Sequence, residues 1–212
     1  MDMYQKRKMR AENKKNNSQE SFSKVPISWY PGHMAKTKRQ IKENISLIDI
    51  VYELIDARMP YSSKNKDIDE MIKNKPRILI MTKMDMCDLE ETNKWKKYYE
   101  DKGYKVVLVD LLNNKNIKEI FNITEHIIKK ENIKRKEKGL KERKGRVLVL
   151  GIPNVGKSTL INRLVGKKVT NVGNKPGITK SLSWIRVNDK IELLDTPGIL
   201  WPKLYLAYKL IG

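Results

Sequence analysis

The sequence predicts a three-layer α/β domain with a mostly parallel sheet and one antiparallel hairpin. Three observations predict it. Nearly continuous apolar runs such as Arg77–Met81 and Arg146–Leu150 have the length of strands covered on both faces. These runs alternate with helical stretches, the signature of a parallel sheet wrapped by helices. Near the end, Trp184–Val187 and Ile191–Leu194 flank Asn188-Asp189, which reads as a hairpin turn between antiparallel strands. A chain of 212 residues is long enough to bury such a core without disulfides.

In chain order, residues 1–25 read as a disordered basic arm. Lys6, Arg7, Lys8, Arg10, Lys14, Lys15 and Lys24 outnumber Asp2, Glu12 and Glu20, and almost nothing there asks to be buried. A mitochondrial transit peptide is the alternative, against which the acidic residues and few arginines count. Residues 26–203 form the main domain. Within it, Ser28–His33 is a loop and a helix runs from Met34 to about Leu47. Asp49–Ile55 and Arg77–Met81 are strands. Asp88 caps a helix that runs through Lys102 and stops at Gly103. Tyr104–Val109 is a further strand, and a long helix starts near Ile117. It enters a basic block, Lys129–Arg146, which reads either as a linker or as a solvent-facing helix end, with RNA contact as the functional alternative. Arg146–Leu150 is a strand, followed by a helix from about Lys157 to Val165. Residues 204–212 read as the start of a further helical region.

Lys and Arg total 45 against 25 Asp and Glu, a formal charge of +20. Such an excess suits a polyanion, either nucleic acid or an anionic membrane face, although a genome rich in Lys codons contributes to it. A lone cysteine, Cys87, rules out a disulfide framework, and with only His33 and His126 beside it a Cys-based zinc site is excluded. The apolar stretches are too short to span a bilayer and no secretory signal is visible, so neither stable membrane insertion nor export is expected.

Gly151-Ile-Pro-Asn-Val-Gly-Lys157-Ser158 matches GxxxxGKS, with a strand before it and a helix after it. Such a loop turns successive backbone N–H groups toward one cluster of phosphate oxygens. Asn154, Val155, Gly156, Lys157, Ser158 and Thr159 are therefore nucleotide-binding candidates. Lys157 supplies a point charge to the β- and γ-phosphates and Ser158 a hydroxyl to Mg²⁺. Downstream, Asp195-Thr-Pro-Gly198 ends an apolar strand in a carboxylate. Asp195 is expected to hold Mg²⁺ through water, and the Gly198 amide to sense a γ-phosphate. Between the two, Thr179 in Pro176-Gly-Ile-Thr179 stands in a Gly- and Lys-rich stretch that suits a switch loop, where its hydroxyl completes the Mg²⁺ shell. The plain alternative is a surface-loop threonine.

Thr82-Lys83-Met84-Asp85 has the form (N/T)KxD at the end of a strand. Guanine presents N1–H and N2–H₂ side by side, and one carboxylate accepts both. Asp85 is the expected acceptor, the Lys83 stem covers a face of the base, and Thr82 braces the loop. This loop precedes the phosphate loop, the reverse of the usual order. The chain therefore reads as a circular permutation of the Ras-like P-loop fold, feasible where termini lie close together. The loop after Tyr104–Val109 should also face the base, but Asp110-Leu111 stands there without a recognisable contact.

With these residues in place, the sequence resembles the circularly permuted GTPases of ribosome assembly, bacterial and mitochondrial, from about Ile27 to Pro202. The most specific matches are Trp29-Tyr-Pro-Gly-His33-Met34-Ala-Lys36, Asp56-Ala-Arg58-Met-Pro60, the phosphate loop, Pro176-Gly-Ile-Thr179 and Asp195-Thr-Pro-Gly-Ile199. The resemblance implies slow hydrolysis of GTP to GDP and phosphate as a switch in late maturation of the large ribosomal subunit, with rRNA as the contact surface. It implies a monomer in the bacterial cytoplasm, or alternatively in the mitochondrial matrix. The alternatives are a nucleotide-regulated RNA-binding protein and a P-loop GTPase serving tRNA modification or membrane delivery. Ile199 stands where many Ras-like enzymes carry a water-orienting Gln, and the family's substitute aligns with His33, which makes His33 a catalytic candidate beside Lys157 and Thr179. Bracing of the Pro31-Gly32 turn is its structural alternative. By the same resemblance Asn154 is a candidate K⁺ ligand, with a turn-favouring Asn as the alternative. Relatives continue into a C-terminal helical domain, of which residues 204–212 would be the truncated beginning.

Overall fold

The computed structural model describes residues 32–72, 75–170 and 182–199. The elements run α1 (Gly32–Asn44), β1 (Ile50–Asp56), α2 (Pro60–Ser63), α3 (Lys66–Met71), β2 (Arg77–Thr82), α4 (Leu89–Asp101), β3 (Lys105–Leu108), α5 (Ile117–Glu137), β4 (Gly145–Gly151), α6 (Lys157–Val165), β5 (Ser183–Arg186) and β6 (Ile191–Asp195). A single turn of 3₁₀-helix follows α1 and another, Met84–Met86, follows β2.

The six strands form one sheet in the order β3-β2-β1-β4-β6-β5. All neighbours are parallel except β5, which runs antiparallel to β6. Side chains of a strand alternate between the two faces, and both faces are covered. Tyr52 and Leu54 of β1 pack with Ile120 and Ile128 of α5 and with Leu160 and Ile161 of α6. Val51 packs with Ile41 of α1 and Ile68 of α3, and Ile55 packs with Tyr99 of α4. This is why every residue of β1 is buried.

Polar groups of β1 that stand inside this core have partners. The Thr124 hydroxyl donates to the Ile120 carbonyl at 2.6 Å, so the Tyr52 hydroxyl, 2.6 Å from Thr124 Oγ1, donates to it. Glu53 is paired with Arg77 at 2.9 Å and with Lys64 at 3.5 Å. Asp88 caps α4 as its sequence indicates, accepting from the amides of Glu90 and Glu91. The basic block divides into a helix end and a linker: α5 continues to Glu137, with Lys134, Arg135 and Lys136 in its last turn, where cations meet the negative end of the helix dipole, and residues 138–144 connect it to β4. The short helices α2 and α3 fill a stretch whose sequence carries no clear periodicity. Residues 1–25 and 204–212 lie outside the described residues.

Candidate nucleotide-binding site

Because β1, β2, β3, β4 and β6 are parallel, their carboxyl ends share one edge of the sheet. Asp56 at the end of β1 pairs in register with Thr82 at the end of β2, and Leu54 with Gly151 at the end of β4. From β1 the chain moves outward through β2 to β3, whereas from β4 it moves the other way, to β5 at the edge and back to β6 beside β4. The loops diverge where β1 and β4 meet, and such a divergence opens a crevice at the carboxyl edge. The two motif loops, far apart in sequence, flank it.

The phosphate loop leaves β4 and enters α6. Asn154 and Gly156 adopt the left-handed conformation, with φ of 58° and 108°. Asn tolerates that region and glycine is free in it, so both residues suit the turn they occupy. Lys157 is buried, and its ammonium donates to the carbonyls of Ile152 at 2.8 Å and Gly151 at 3.1 Å. Burial pulls its pKa down to about 8, against the opposing field of Asp195. Ser158 and Thr159 follow it, half-buried, in the first turn of α6, where backbone N–H groups lack helical partners.

The base-side loop leaves β2. The buried Thr82 hydroxyl lies 2.6 Å from the Val155 carbonyl and 3.2 Å from that of Ile55. Lys83 has φ of 64°, an uncommon conformation for a residue with a side chain. Its ammonium pairs with Asp56 at 2.8 Å, and Arg58 grips the same carboxylate through Nε at 2.9 Å and Nη2 at 2.8 Å. Burial pushes the Asp56 carboxyl up, but the hydrogen bonds from Arg58 and Lys83 outweigh it and hold it at about 2. Asp85 sits exposed in the following 3₁₀ turn, close enough to Arg58 to stabilise its charge. The Met84 amide bonds to the Val109 carbonyl at 3.2 Å, which ties this loop to the end of β3.

The neighbouring loop after β3 closes on itself. Asp110 accepts from the amides of Leu112 and Asn113 and from the Asn113 side chain, so its carboxylate is occupied by its own loop. Arg163 of α6 donates to the carbonyls of Leu111 and Leu112, binding this loop to the phosphate-side helix.

On the other flank β6 ends in buried Asp195, followed by Thr196, whose hydroxyl bonds to the Val149 carbonyl at 2.7 Å. Gly198 lies so close to the phosphate loop that a Cβ there would sit 2.6 Å from the Pro153 nitrogen. The Ile199 amide bonds to the Gly151 carbonyl at 3.1 Å, and its side chain is buried with Ile68, Ile72 and Leu150.

The crevice therefore gathers Thr82, Lys83, Asp85, Asn154, Val155, Gly156, Lys157, Ser158, Thr159, Asp195 and Gly198 at one edge. Thr179 lies outside the described residues. His33 is the second residue of α1, but its side chain also lies outside them. Asp56, Arg58 and Arg163 join the site without having been assigned a role from sequence. Ser158 and Asp195 offer the hard oxygen donors that Mg²⁺ prefers. Among the described residues no group of three or more His, Cys, Asp or Glu side chains could hold a metal alone. A divalent ion here would need phosphate oxygens and water for most of its shell, which fits an ion that arrives with a nucleotide.

Comparison with known proteins agrees with this geometry. A family model described as 50S ribosome-binding GTPase matches residues 146–210. A protein of Priestia megaterium named "Ribosome biogenesis GTPase A" is 47% identical over 190 residues, covering 88% of this chain and 66% of that protein. One of Mycoplasma genitalium named "Probable ribosome biogenesis GTPase A" is 33% identical over 202 residues, covering 91% and 68%. The crystal structure of GNP-bound YlqF from T. maritima superposes with a TM-score of 0.55 at 30% identity, covering 80% of this chain and 60% of that one. The chain thus spans just under two thirds of the length of the Priestia megaterium relative. The strand order and these matches establish a P-loop GTPase fold with the base-side half first.

Proposed function

The chain belongs to the ribosome biogenesis GTPase A family, and from that footing we propose that it binds GTP across the crevice and hydrolyses it to GDP and phosphate as a switch in late assembly of the large ribosomal subunit. The observation that carries this reading is the hydrogen bond from Thr82 to Val155. It ties the loop after β2, which we assign to the purine, to the loop after β4, which we assign to the triphosphate.

In this reading Asp85 accepts N1–H and N2–H₂ of guanine, and Lys83, steadied by Asp56, lays its stem along the ring. The amides of Asn154 to Thr159 hold the β- and γ-phosphates, and Lys157 turns from the loop carbonyls to them. Ser158, Thr179 and, through water, Asp195 would hold Mg²⁺, which would supply positive charge against the phosphates. The Gly198 amide senses the γ-phosphate over Pro153. Ile199 is buried in the core and has no group to orient water, which supports His33 as the residue that positions the attacking water. Asn154, exposed at the tip of the loop, is the candidate K⁺ ligand. With no positioned Gln, the intrinsic rate is expected to be slow.

The proposed partner is the large ribosomal subunit precursor, met through rRNA. The charge of +20 supports a polyanionic partner. Among the described residues no helix is long and apolar enough to cross a membrane. The proposed setting is a monomer in the bacterial cytoplasm, with the mitochondrial matrix as the alternative. The deciding experiment is GTP turnover with and without large ribosomal subunits, using Lys157→Ala as the control. Stimulation of the parent chain alone supports the reading. A parent chain that binds GTP but is not stimulated would leave the nucleotide site and remove the ribosome.

A further inference from the structure

Where α4 ends and β3 begins, five aromatic rings form one connected face. Tyr61 of α2 meets Trp95 of α4, Trp95 meets Tyr98 and Tyr99, and Tyr99 meets Tyr98 and Tyr104, with centroids 5.2 to 6.2 Å apart. Aromatic residues are only 7% of the chain, so five in mutual contact is a concentration. Core packing accounts for part of it. Tyr99 is buried and donates to the Pro60 carbonyl at 3.2 Å. It does not account for Tyr61 and Tyr98, which are 57% and 40% exposed.

These two line a cavity of about 150 Å³ together with Tyr99, Tyr104, Lys64 and Lys102. That volume suits one flat ring of nucleobase size. The charges beneath it are balanced: Asp69, which also reaches the cavity, and buried Glu53 are both paired with Lys64 and Arg77. Lys102 is different. Its ammonium lies 4.1 Å from the Tyr98 ring centre, donates to the Tyr98 hydroxyl, and has no carboxylate partner among the described residues, which leaves two of its donors for a phosphate. Exposed tyrosine faces with a cation at their margin are the combination that holds unpaired bases, the ring stacking and the ammonium meeting phosphate. Duplex RNA keeps its base faces stacked inside and offers nothing to this surface.

We propose that the face formed by Tyr61, Tyr98 and Lys102 is a binding site for single-stranded RNA, which takes one unpaired base into the tyrosine-lined cavity. The choice of RNA rests on the ribosome-directed reading above.

The test is fluorescence anisotropy of the full chain, loaded with GDP, against a short labelled oligouridylate, with a duplex RNA of equal length as competitor. Tyr61→Ala/Tyr98→Ala is expected to lower affinity for the oligouridylate at least about tenfold, by loss of stacking. The phenylalanine pair should stay within about threefold of the parent, because a phenyl ring stacks as well. The alanine pair should melt somewhat lower through lost ring packing, and GDP affinity should not change in either variant. Oligouridylate affinity unchanged in the alanine pair, or duplex competing as well as single strand, overturns the proposal. So does a parent chain that binds no oligouridylate. Loss of GTP binding by the parent would instead sink the GTPase reading, so the two failures are distinguishable.

Discussion

The Thr82 hydroxyl donates to the Val155 carbonyl across 2.6 Å, although the two residues are 73 positions apart. It is one direct bond between the base-side and phosphate-side loops. Thr82→Val keeps the shape and removes the donor, leaving a buried carbonyl without it. The expected cost is about 1–3 kcal/mol in unfolding free energy, with weaker GTP binding. Thr82→Ser should restore most of both. Chemical denaturation and GTP titration of the three proteins check this.

Asp85 carries the proposed choice of guanine. Asp85→Asn exchanges one acceptor for a donor. That should lower GTP affinity by roughly a hundredfold, the scale of losing charge-assisted hydrogen bonds. The same change should raise affinity for xanthosine triphosphate, whose second ring carbonyl accepts from the new amide. Competition binding with both nucleotides reads the exchange, and equal losses for both would remove Asp85 from base recognition.

Asp56 holds the Lys83 ammonium at 2.8 Å and two donors of Arg58. Its carboxyl is depressed from 3.8 to about 2. A depressed carboxyl contributes stability that is present above its unfolded value and is lost as pH falls through the folded one. Asp56→Asn should therefore cost about 2 kcal/mol near neutrality, and the deficit should close between about pH 4 and pH 2. GTP affinity should fall as well, because Lys83 loses its anchor. Denaturation across that pH range tests the sign.

Lys157 sits at the opposite extreme: its pKa is lowered from 10.5 to about 8 by burial. Below pH 8 the folded, nucleotide-free protein carries the full burden of a buried charge. Between about 8 and 10.5 the unfolded chain binds the extra proton, so stability rises with pH there. Lys157→Met should stabilise the nucleotide-free protein by about 2 kcal/mol at pH 7. The advantage should shrink as pH climbs through that window. The same variant should bind no GTP. Melting curves at several pH values, with and without GTP, separate the two effects.

His33 and Asn154 divide the proposed hydrolysis chemistry. His33→Ala should lower turnover stimulated by large subunits while GTP affinity stays intact. If Asn154 ligates K⁺, turnover in KCl should exceed that in NaCl, and Asn154→Ala should erase the difference. Unchanged stimulated turnover removes His33 from the mechanism. Equal rates in the two salts remove the K⁺ site.

Much of this site was legible because its motifs are local. The phosphate loop and Thr82-Lys83-Met84-Asp85 each follow an apolar strand, and parallel strands deliver their carboxyl ends to one edge. Asp88 was legible as a cap because capping involves neighbours only. The partner of Lys83 was not, since it stands 27 positions away and the register of β1 on β2 supplies it. Asp110 was ambiguous for the opposite reason. Its carboxylate is used by amides two and three residues ahead, a turn that leaves no distinctive pattern. The helices α2 and α3, of four and six residues, are too short to show a period. That Ile199 points into the core depends on tertiary contacts with α3 and the sheet, which no local pattern encodes.

The permuted strand order has a consequence for synthesis. Translation delivers β1, β2 and β3 first, so the purine side of the crevice emerges while the phosphate side is still being made. Until Val155 reaches Thr82, the early half lacks the loop proposed to hold the triphosphate. Capture of nucleotide then reports that the late half has docked in register, and a ligand gripping both halves acts as a clasp on the newly finished chain.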